Sequence, residues 1–292
     1  MIKLSLHLEL NYEVAAQGCD FIFNFHAART RCQDVAEERL QISQPVESRL
    51  HEDPATGNRQ LLLQAQPGPL TLTYDAEVTL RHKVMDPATL EEVPVARLPP
   101  AVLPYLYPSR YCQSDRLLRL AFDEFGRLPP GHARVQAIRD WVAQRVTFTS
   151  NTSDASTAAV DTLVSRVGVC RDFAHLMIAL CRASNIPARF TTGTDYGAPA
   201  ELGPPDFHAY VEVFLSGGWV IFDPSSTAIP MGCMRLSTGR DAADVAFASM
   251  FGGVIASAPR IHVEAQAGPG LLLPHHCTFA LSTDDGQGLQ VR

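Results

Sequence analysis

The sequence predicts an α+β fold in which helices and antiparallel strands share a core behind a strand-rich N-terminal region. Residues 1–85 alternate apolar and polar side chains in short segments, which is typical of half-buried strands. Residues 114–184 instead carry apolar side chains at helical spacing, and two further alternating segments follow within 207–225. Helices before a central turn and strands after it therefore indicate a mixed core, preceded by a smaller β-domain.

The N-terminal region, residues 1–85, is predicted to be a small β-sandwich domain. Turn-forming residues interrupt the alternation at 53–58 and 66–69. We expect the strands to enclose an apolar core of their own. The clearest predicted strands are Ile2–Tyr12, Asp20–His26, Val35–Ile42, Gln60–Gln66 and Leu70–His82.

Six prolines crowd residues 86–108 and predict an extended connector. Interleaved apolar side chains indicate that this connector packs along the second domain. We assign residues 109–265 to that domain, and residues 266–292 to a C-terminal tail that could return as a strand. The helices predicted in the second domain before the central turn are 114–126, 132–146 and 156–166.

A further helix, over residues 171–184, places Cys170 at its N-terminus. Gly168 supplies a permissive backbone just before the helix, and Asn185 followed by Pro187 ends it. The positive end of the helix dipole favours a thiolate, the nucleophilic form of cysteine. The alternative is a cysteine buried as a small apolar residue, since free cysteines are among the most buried residue types.

The segments 207–215 and 219–225 are predicted to be paired strands, joined through the hairpin signal Ser216-Gly217-Gly218. Side chains alternate along a strand, so the face that carries His208 is defined by the even-numbered residues of the first segment. In an antiparallel pair, Asp223 lies on that same face only when paired residue numbers sum to an odd number.

Two hairpin registers meet this condition. A four-residue loop over 214–217 would set Asp223 directly opposite His208, within reach of its imidazole. A two-residue Gly217-Gly218 loop would set Asp223 opposite Glu212, too far along for a short hydrogen bond. Turn chemistry favours the second register and a catalytic role favours the first, and a β-bulge could reconcile them.

Cysteine, then histidine on a strand, then aspartate on the next strand is the chain order of a thiol triad. His208 can take the proton of the Cys170 thiol, and Asp223 can fix the tautomer and orientation of His208. His175, five positions along the helix from the nucleophile, points well away from it and is rejected as the base.

The chain resembles the transglutaminase-like superfamily, in particular its bacterial branch of cysteine protease-like proteins. The resemblance covers about residues 105–250 with specific motifs, and the preceding β-rich region more loosely. The matching motifs are Gly168–His175, Ile186–Arg189, His208–Val213, Gly218–Pro224, Asp154–Thr157, Pro108–Asp115 and Gly239–Val245.

The resemblance implies a papain/transglutaminase-like core, made of helices plus an antiparallel sheet, with Cys170, His208 and Asp223 as catalytic residues. It also implies an oxyanion hole whose second donor comes from residues 149–157, beside the backbone N–H of Cys170. Tyr210 stands where the family commonly has tryptophan, and we interpret it as an exchange of one packed aromatic residue for another.

Composition and charge limit the expected classes of binding partner and the expected cellular location. The net charge of −7 and a pI near 5.8 argue against nucleic acid as the main partner. There is no apolar run of the length that a transmembrane helix needs, and the alternating N-terminus does not resemble a signal peptide. Seven cysteines without C-x-x-C spacing favour a reducing, cytoplasmic location.

No cofactor or metal site is predicted, because the short cluster His275-His276-Cys277 has no second ligand pair. Three functions remain open. The first is a cysteine protease or amidase that hydrolyses peptide or side-chain amide bonds through a thioester on Cys170. The second is a protein-glutamine transamidase, and the third is a non-catalytic binding or scaffold module. The expected partner is a peptide or protein substrate, and the sequence leaves the oligomeric state open.

Overall fold

The computed structural model describes residues 1–203 and 205–282, which form a β-sandwich and an adjoining core of helices and strands. The strands are β1 (Ile2–Val14), β2 (Cys19–Phe23), β3 (Gln33–Ile42), β4 (Ser48–Glu52), β5 (Arg59–Ala65), β6 (Gly68–Leu80), β7 (Lys83–Met85), β8 (Thr147–Phe148), β9 (Val167–Gly168), β10 (Ala188–Thr194), β11 (Phe207–Leu215), β12 (Gly218–Phe222), β13 (Arg235–Gly239), β14 (Ala248–Phe251), β15 (Val254–Ala256), β16 (Arg260–Ala265) and β17 (Ala280–Ser282). The α-helices are α1 (Leu118–Phe125), α2 (His132–Arg145), α3 (Ala159–Ser165), α4 (Cys170–Ala183) and α5 (Ala242–Val245).

Two antiparallel sheets make the sandwich. One has the order β15-β1-β6-β3, with β16 also paired to β1, and the other has the order β14-β2-β5-β4. The longest pairing joins β1 to β6, from Ile2 opposite Leu80 to Val14 opposite Gly68. Along β1 every second side chain is buried, because one face of the strand packs on the apolar core between the sheets. The predicted sandwich is therefore present.

The sandwich takes three of its strands from far along the chain. β14 pairs with β2, and both β15 and β16 pair with β1. The domain division predicted from the sequence places residues 248–265 in the second domain, so this part of the division differs from the structure. The physical reason is that β1 and β2 have free edges whose N–H and C=O groups need partners, and partner choice at an edge leaves no local sequence signal.

The C-terminal tail also returns as a strand. Within the predicted tail of residues 266–292, β17 pairs with β7 through Ala280 opposite Met85 and Ser282 opposite Lys83. Residues 283–292 lie outside the described part of the chain.

The second sheet system has the order β12-β11-β10-β13, and helix α4 packs on one of its faces. Nearly every side chain of α4 from Asp172 onwards is buried, so this helix is the centre of the helical layer. Among the described residues, none of the helices combines the length and the apolar composition that a membrane crossing requires. The arrangement confirms the predicted α+β class.

The opposite face of this sheet packs against the sandwich. Tyr210 and Ile221 of the sheet share one continuous apolar core with Leu8 and Phe23 of the sandwich. Met234, just before β13, belongs to the same core. The expectation that residues 1–85 enclose a core of their own is therefore wrong, because the sandwich buries part of its apolar surface against the sheet.

Two side-chain amides tie the sandwich to the edge strand β13. Gln33 accepts a hydrogen bond from Arg235 N–H at 2.8 Å and donates one to Arg235 C=O at 2.7 Å. Asn58 does the same with Thr238, at 2.8 Å and 2.7 Å. Each amide side chain pairs with the backbone N–H and C=O of one β13 residue, as a further strand would. The edge of the sheet is therefore covered, and these backbone groups have partners.

The proline-rich connector lies along the core. It forms short 3₁₀ turns at Pro87–Thr89, Val95–Arg97 and Pro100–Leu106. Val102 is fully buried against Phe214 and Trp219 in a small apolar cluster. The connector is therefore a packed part of the second domain's surface.

A matched pair of isoleucines tests whether the C-terminal strands belong to the sandwich. Ile261 of β16 is 7% exposed and lies in the shared core, whereas Ile255 of β15 is 75% exposed. We expect Ile261→Ala to lower the free energy of unfolding by about 2 kcal/mol or more, through lost burial and a cavity. Ile255→Ala should change it by less than about 0.5 kcal/mol. Urea denaturation of both variants measures this, and equal midpoints would contradict the role given to β16.

Candidate active site

Cys170 is the first residue of α4, and the local backbone is fixed by an acidic residue one turn on. The Asp172 carboxylate accepts a hydrogen bond from Val169 N–H at 2.8 Å, which satisfies one of the donors that a helix start leaves open. Gly168 lies against this carboxylate, where an added Cβ would come within 2.7 Å of the Asp172 Cβ. The glycine is therefore required by close approach, and it holds the turn that presents the thiol.

The thiol is half-buried and faces the start of β11. Its Sγ lies 4.0 Å from the carbonyl oxygen of Phe207, the residue before His208. As the first helical residue, Cys170 has a backbone N–H in the turn whose donors have no acceptor within the helix. The positive end of α4 is therefore directed at the thiol, as the sequence predicts.

The hairpin that carries His208 and Asp223 adopts neither of the two registers considered from the sequence. Leu215 pairs with Gly218 and Val211 with Phe222, so continuing by one residue sets Asp223 level with Tyr210. The odd-sum condition still holds, so Asp223 is on the face of His208 as its diagonal neighbour.

The turn itself explains the register. Its two central residues are Ser216 and Gly217, with φ of 47° and 84°. Two successive positive φ values define a type I′ turn, whose twist matches that of the paired strands. The two-residue loop predicted from the sequence is Gly217-Gly218. The loop in the structure starts one residue earlier, because Ser216 adopts the left-handed conformation.

The three predicted residues therefore lie together. His208 Nε2 is 3.3 Å from Asp223 Oδ2, and both side chains are at most 2% exposed. The Cys170 thiol is close enough to interact with the same imidazole. Contacts of this length are common in resting active sites and shorten when substrate binds.

Asp223 is held by groups that the sequence analysis missed. One carboxylate oxygen accepts hydrogen bonds from Ser225 N–H at 3.0 Å and from Ser225 Oγ at 2.6 Å. The oxygen that faces His208 accepts one from Ala228 N–H at 3.1 Å. Arg139 Nε donates to the Asp223 carbonyl at 2.8 Å. Aspartate followed two residues later by serine is the signal for such an Asx turn, and it is legible in the sequence.

Electrostatics favour a charged imidazole. Burial alone would lower the pKa of His208, but the negative charge of Asp223 and the adjacent Cys170 thiol outweigh it and raise the pKa to about 10. Burial would raise the pKa of Asp223, but the charge of His208 and the Ser225 and Ala228 hydrogen bonds lower it to about 2. At neutral pH the pair therefore rests as imidazolium and carboxylate.

The thiol opens into a cleft of about 680 Å³. One wall is the loop that follows β8, which includes Asn151 and Ala155, and another contains Asp195 and Asp206. Phe207 and Phe247 line the cleft with their rings stacked at 4.5 Å. A cleft of this size accommodates an extended segment of several residues.

The loop after β8 is tied to the nucleophile's helix. Arg171 donates to the carbonyl of Asp154 at 2.7 Å, and Tyr111 Oη donates to the carbonyl of Ala155 at 2.7 Å. The Asp154 carboxylate in turn accepts from Ser156 N–H at 2.7 Å. These bonds hold the segment that the family resemblance associates with the second oxyanion donor.

His175 has a structural environment. It stacks on Tyr111 with ring centroids 5.0 Å apart, and its Nε2 accepts a hydrogen bond from Ala242 N–H at 3.2 Å. Full burial, together with the charges of Arg171 and Arg182, holds its pKa well below the usual range. A neutral histidine facing α5 is consistent with its rejection as the base.

Comparison with known proteins agrees with this geometry. Residues 123–224, which include Cys170, His208 and Asp223, match the profile described as the transglutaminase-like superfamily. Residues 2–101 match the bacterial transglutaminase N-terminal domain. A crystal structure from Cytophaga hutchinsonii, provisionally designated a cysteine protease, superposes with a TM-score of 0.89 at 38% identity, covering 96% of this chain and 97% of that one.

Curated relatives are matched over shorter stretches. An uncharacterised protein of Mycobacterium leprae is 32% identical over 124 residues, which is 40% of this chain and 43% of the relative. A Mycobacterium tuberculosis protein is 31% identical over 131 residues, or 41% of its length. The chain thus spans about two fifths of the length of these relatives.

The His208–Asp223 pair predicts a pH dependence of stability. The folded-state pKa of His208, about 10, lies above its ordinary value of 6.5, so the folded state binds this proton more tightly. The resulting stabilisation is complete below about pH 6.5 and is lost as the pH rises through about 10. We expect Asp223→Asn to abolish this decline. Urea denaturation across that range measures it, with the exposed Asp20→Asn as control, and an unchanged decline in Asp223→Asn would contradict the pairing.

The charged imidazole also predicts the reactivity of the thiol. We expect iodoacetamide to alkylate Cys170 faster than Cys277 at about pH 6, because of the two only Cys170 lies at a helix N-terminus beside a histidine that can take the thiol proton. Cys277 is the matched control, since both cysteines are partly exposed. Peptide mapping by mass spectrometry gives the two rates, and equal rates would contradict the activation of Cys170 by His208 and the helix N-terminus.

Proposed function

This chain belongs to the transglutaminase-like superfamily, and from that membership and the site geometry we propose that it is a cysteine protease or amidase acting through a thioester on Cys170. The observation that carries the proposal is the buried His208–Asp223 pair beside a thiol at a helix N-terminus. Each of these features serves nucleophilic catalysis, and together they meet the requirement for a nucleophile, a base and a group that orients the base.

The proposed reaction has two halves. The Cys170 thiolate attacks the carbonyl carbon of an amide, and a tetrahedral intermediate forms. His208 then gives its proton to the nitrogen of the leaving amine, the C–N bond breaks, and the acyl group remains on sulfur as a thioester. In the second half, His208 takes a proton from water as the water attacks the thioester, and the thiolate leaves.

Asp223 has a positioning role in this scheme. Its Oδ2 faces Nε2 of His208, so proton exchange with sulfur and with the leaving amine falls to Nδ1. The three hydrogen bonds from Ser225 and Ala228 hold the carboxylate while the imidazole exchanges its proton. Because the carboxylate stays ionised, it favours the imidazolium that each half-reaction requires.

The oxyanion requires preorganised donors near sulfur. The backbone N–H of Cys170 is one, since the helix makes no use of it. The loop after β8, which lines the same cleft and is held by Arg171 and Tyr111, is the proposed source of the second donor. Both donors come from segments whose backbone is anchored, which is the condition for stabilising charge without reorganisation.

Acylation of the thiol tests the proposal. We expect a neutral, activated thioester of a small peptide to add its acyl group to Cys170, with a burst of released thiol equal to the enzyme concentration. Asp223→Asn should slow acylation by about 10²-fold or more, because the amide no longer favours the working state of His208. Cys277→Ala is the matched control and should behave as the parent protein. A burst that persists in Cys170→Ala would exclude Cys170 as the nucleophile.

Hydrolysis and transamidation differ only in what attacks the thioester. Water is present at about 55 M and needs no binding site, so we expect hydrolysis to dominate. Adding glycinamide to the acylating enzyme and quantifying the two products by mass spectrometry measures the partition. If the amide product dominates at millimolar amine, transamidation replaces hydrolysis as the proposed reaction.

A further inference from the structure

We propose that the cleft selects substrates with a cationic side chain, arginine or lysine, on the leaving-group side of the bond that is cleaved, and that Asp195 and Asp206 are the selecting residues. This inference rests on the proposed function, because it assigns a side of the cleft relative to the thioester chemistry.

The two carboxylates lie on adjoining strand ends beside His208. Thr194 pairs with Phe207, so Asp195 and Asp206 occupy the next level of the same antiparallel pair. Asp206 N–H donates to Asp195 Oδ2 at 3.1 Å, and Phe207 N–H donates to Asp206 Oδ1 at 2.7 Å. Both residues line the cleft.

Neither carboxylate is neutralised within the described part of the chain. Their hydrogen bonds there come from backbone N–H groups, and no lysine or arginine in residues 1–203 and 205–282 forms an ion pair with either. Arg171, which also lines the cleft, is bound to Asp172 and to the Asp154 carbonyl. Burial raises the pKa of the half-buried Asp195 more than the nearby charge of His208 lowers it, whereas the side chain of Asp206 is exposed. A ligand cation would supply the missing partner.

An aromatic surface adjoins the carboxylates. Phe207 and Phe247 stack with ring centroids 4.5 Å apart and an interplanar angle of 17°, and Phe247 is 37% exposed. Both rings line the same cleft. A long cationic side chain has an apolar stem that packs on such rings and a charged head that needs a carboxylate. The combination fits arginine or lysine better than an aliphatic or an acidic residue.

The chemistry gives the side of the scissile bond. His208 delivers its proton to the leaving amine, so the leaving residue lies at the His208 end of the cleft. Asp206 is two residues before His208 in the chain, and Asp195 is near enough for the charge of His208 to act on it. The carboxylates therefore face the residue that leaves or, in reverse, the amine that attacks the thioester.

Partition between two isosteric amines tests the inference without a known substrate. The enzyme is acylated with the neutral thioester, and argininamide or citrullinamide is added, which differ in side-chain charge and share the same attacking α-amine. We expect argininamide to be captured about fivefold better, the size of one partly exposed charge pair. The capture ratio should fall toward one in Asp206→Asn and in Asp195→Asn, and should be retained in Asp206→Glu. It should also fall as salt is raised.

The control is Asp20→Asn, an exposed aspartate of β2, which should keep the parent ratio. A parent ratio of one, or capture of neither amine, overturns the selection by charge, and so does a preference that survives loss of both carboxylates. These failures are distinct from failure of the proposed function. If the proposed function is wrong, no acyl group appears on Cys170, and the inference about charge selection is then wrong as well.

Discussion

The arrangement of this site depends on a buried pair of opposite charges, His208 and Asp223. His208 and Asp223 are almost inaccessible to water, and either one alone would lose its charge there, because burial opposes ionisation of both. The opposite charge of the partner is the largest favourable contribution to the charge of each. The pair in turn depends on the Asx turn that holds Asp223 and on the type I′ turn that brings β12 back beside β11. A one-residue change in hairpin register would turn Asp223 to the other face of the sheet, away from His208.

The nucleophile depends on a separate support. Asp172 is fully buried at the start of α4, where it accepts the Val169 N–H and pairs with Arg171. Arg171 also donates a hydrogen bond to the loop that forms one wall of the cleft. Through Arg171, Asp172 therefore connects the start of the helix to the cleft wall. The thiol and the imidazole are thus positioned by different elements, α4 and β11, which pack on each other and bring Cys170 to the start of β11.

The β-sandwich takes part in this arrangement through packing. Tyr210, the residue level with Asp223 and a ring neighbour of His208 at 6.2 Å, is buried in the apolar core that the sheet shares with the sandwich. Gln33 and Asn58 hold the edge of the same sheet. The face that carries the base is therefore stabilised from the sandwich side.

By itself, the sequence predicted most of the elements and the three candidate catalytic residues. Alternation predicted the sandwich strands, helical spacing placed Cys170 at a helix start, and parity placed Asp223 on the face of His208, because these signals act between residues close in the chain. Tertiary structure alone decided the rest. Whether Ser216-Gly217 or Gly217-Gly218 forms the turn depends on twist in the paired strands, and residues 248–265 join the sandwich because it offers free strand edges. The pKa values of the buried pair likewise follow from desolvation, which exists only once the sheet has packed.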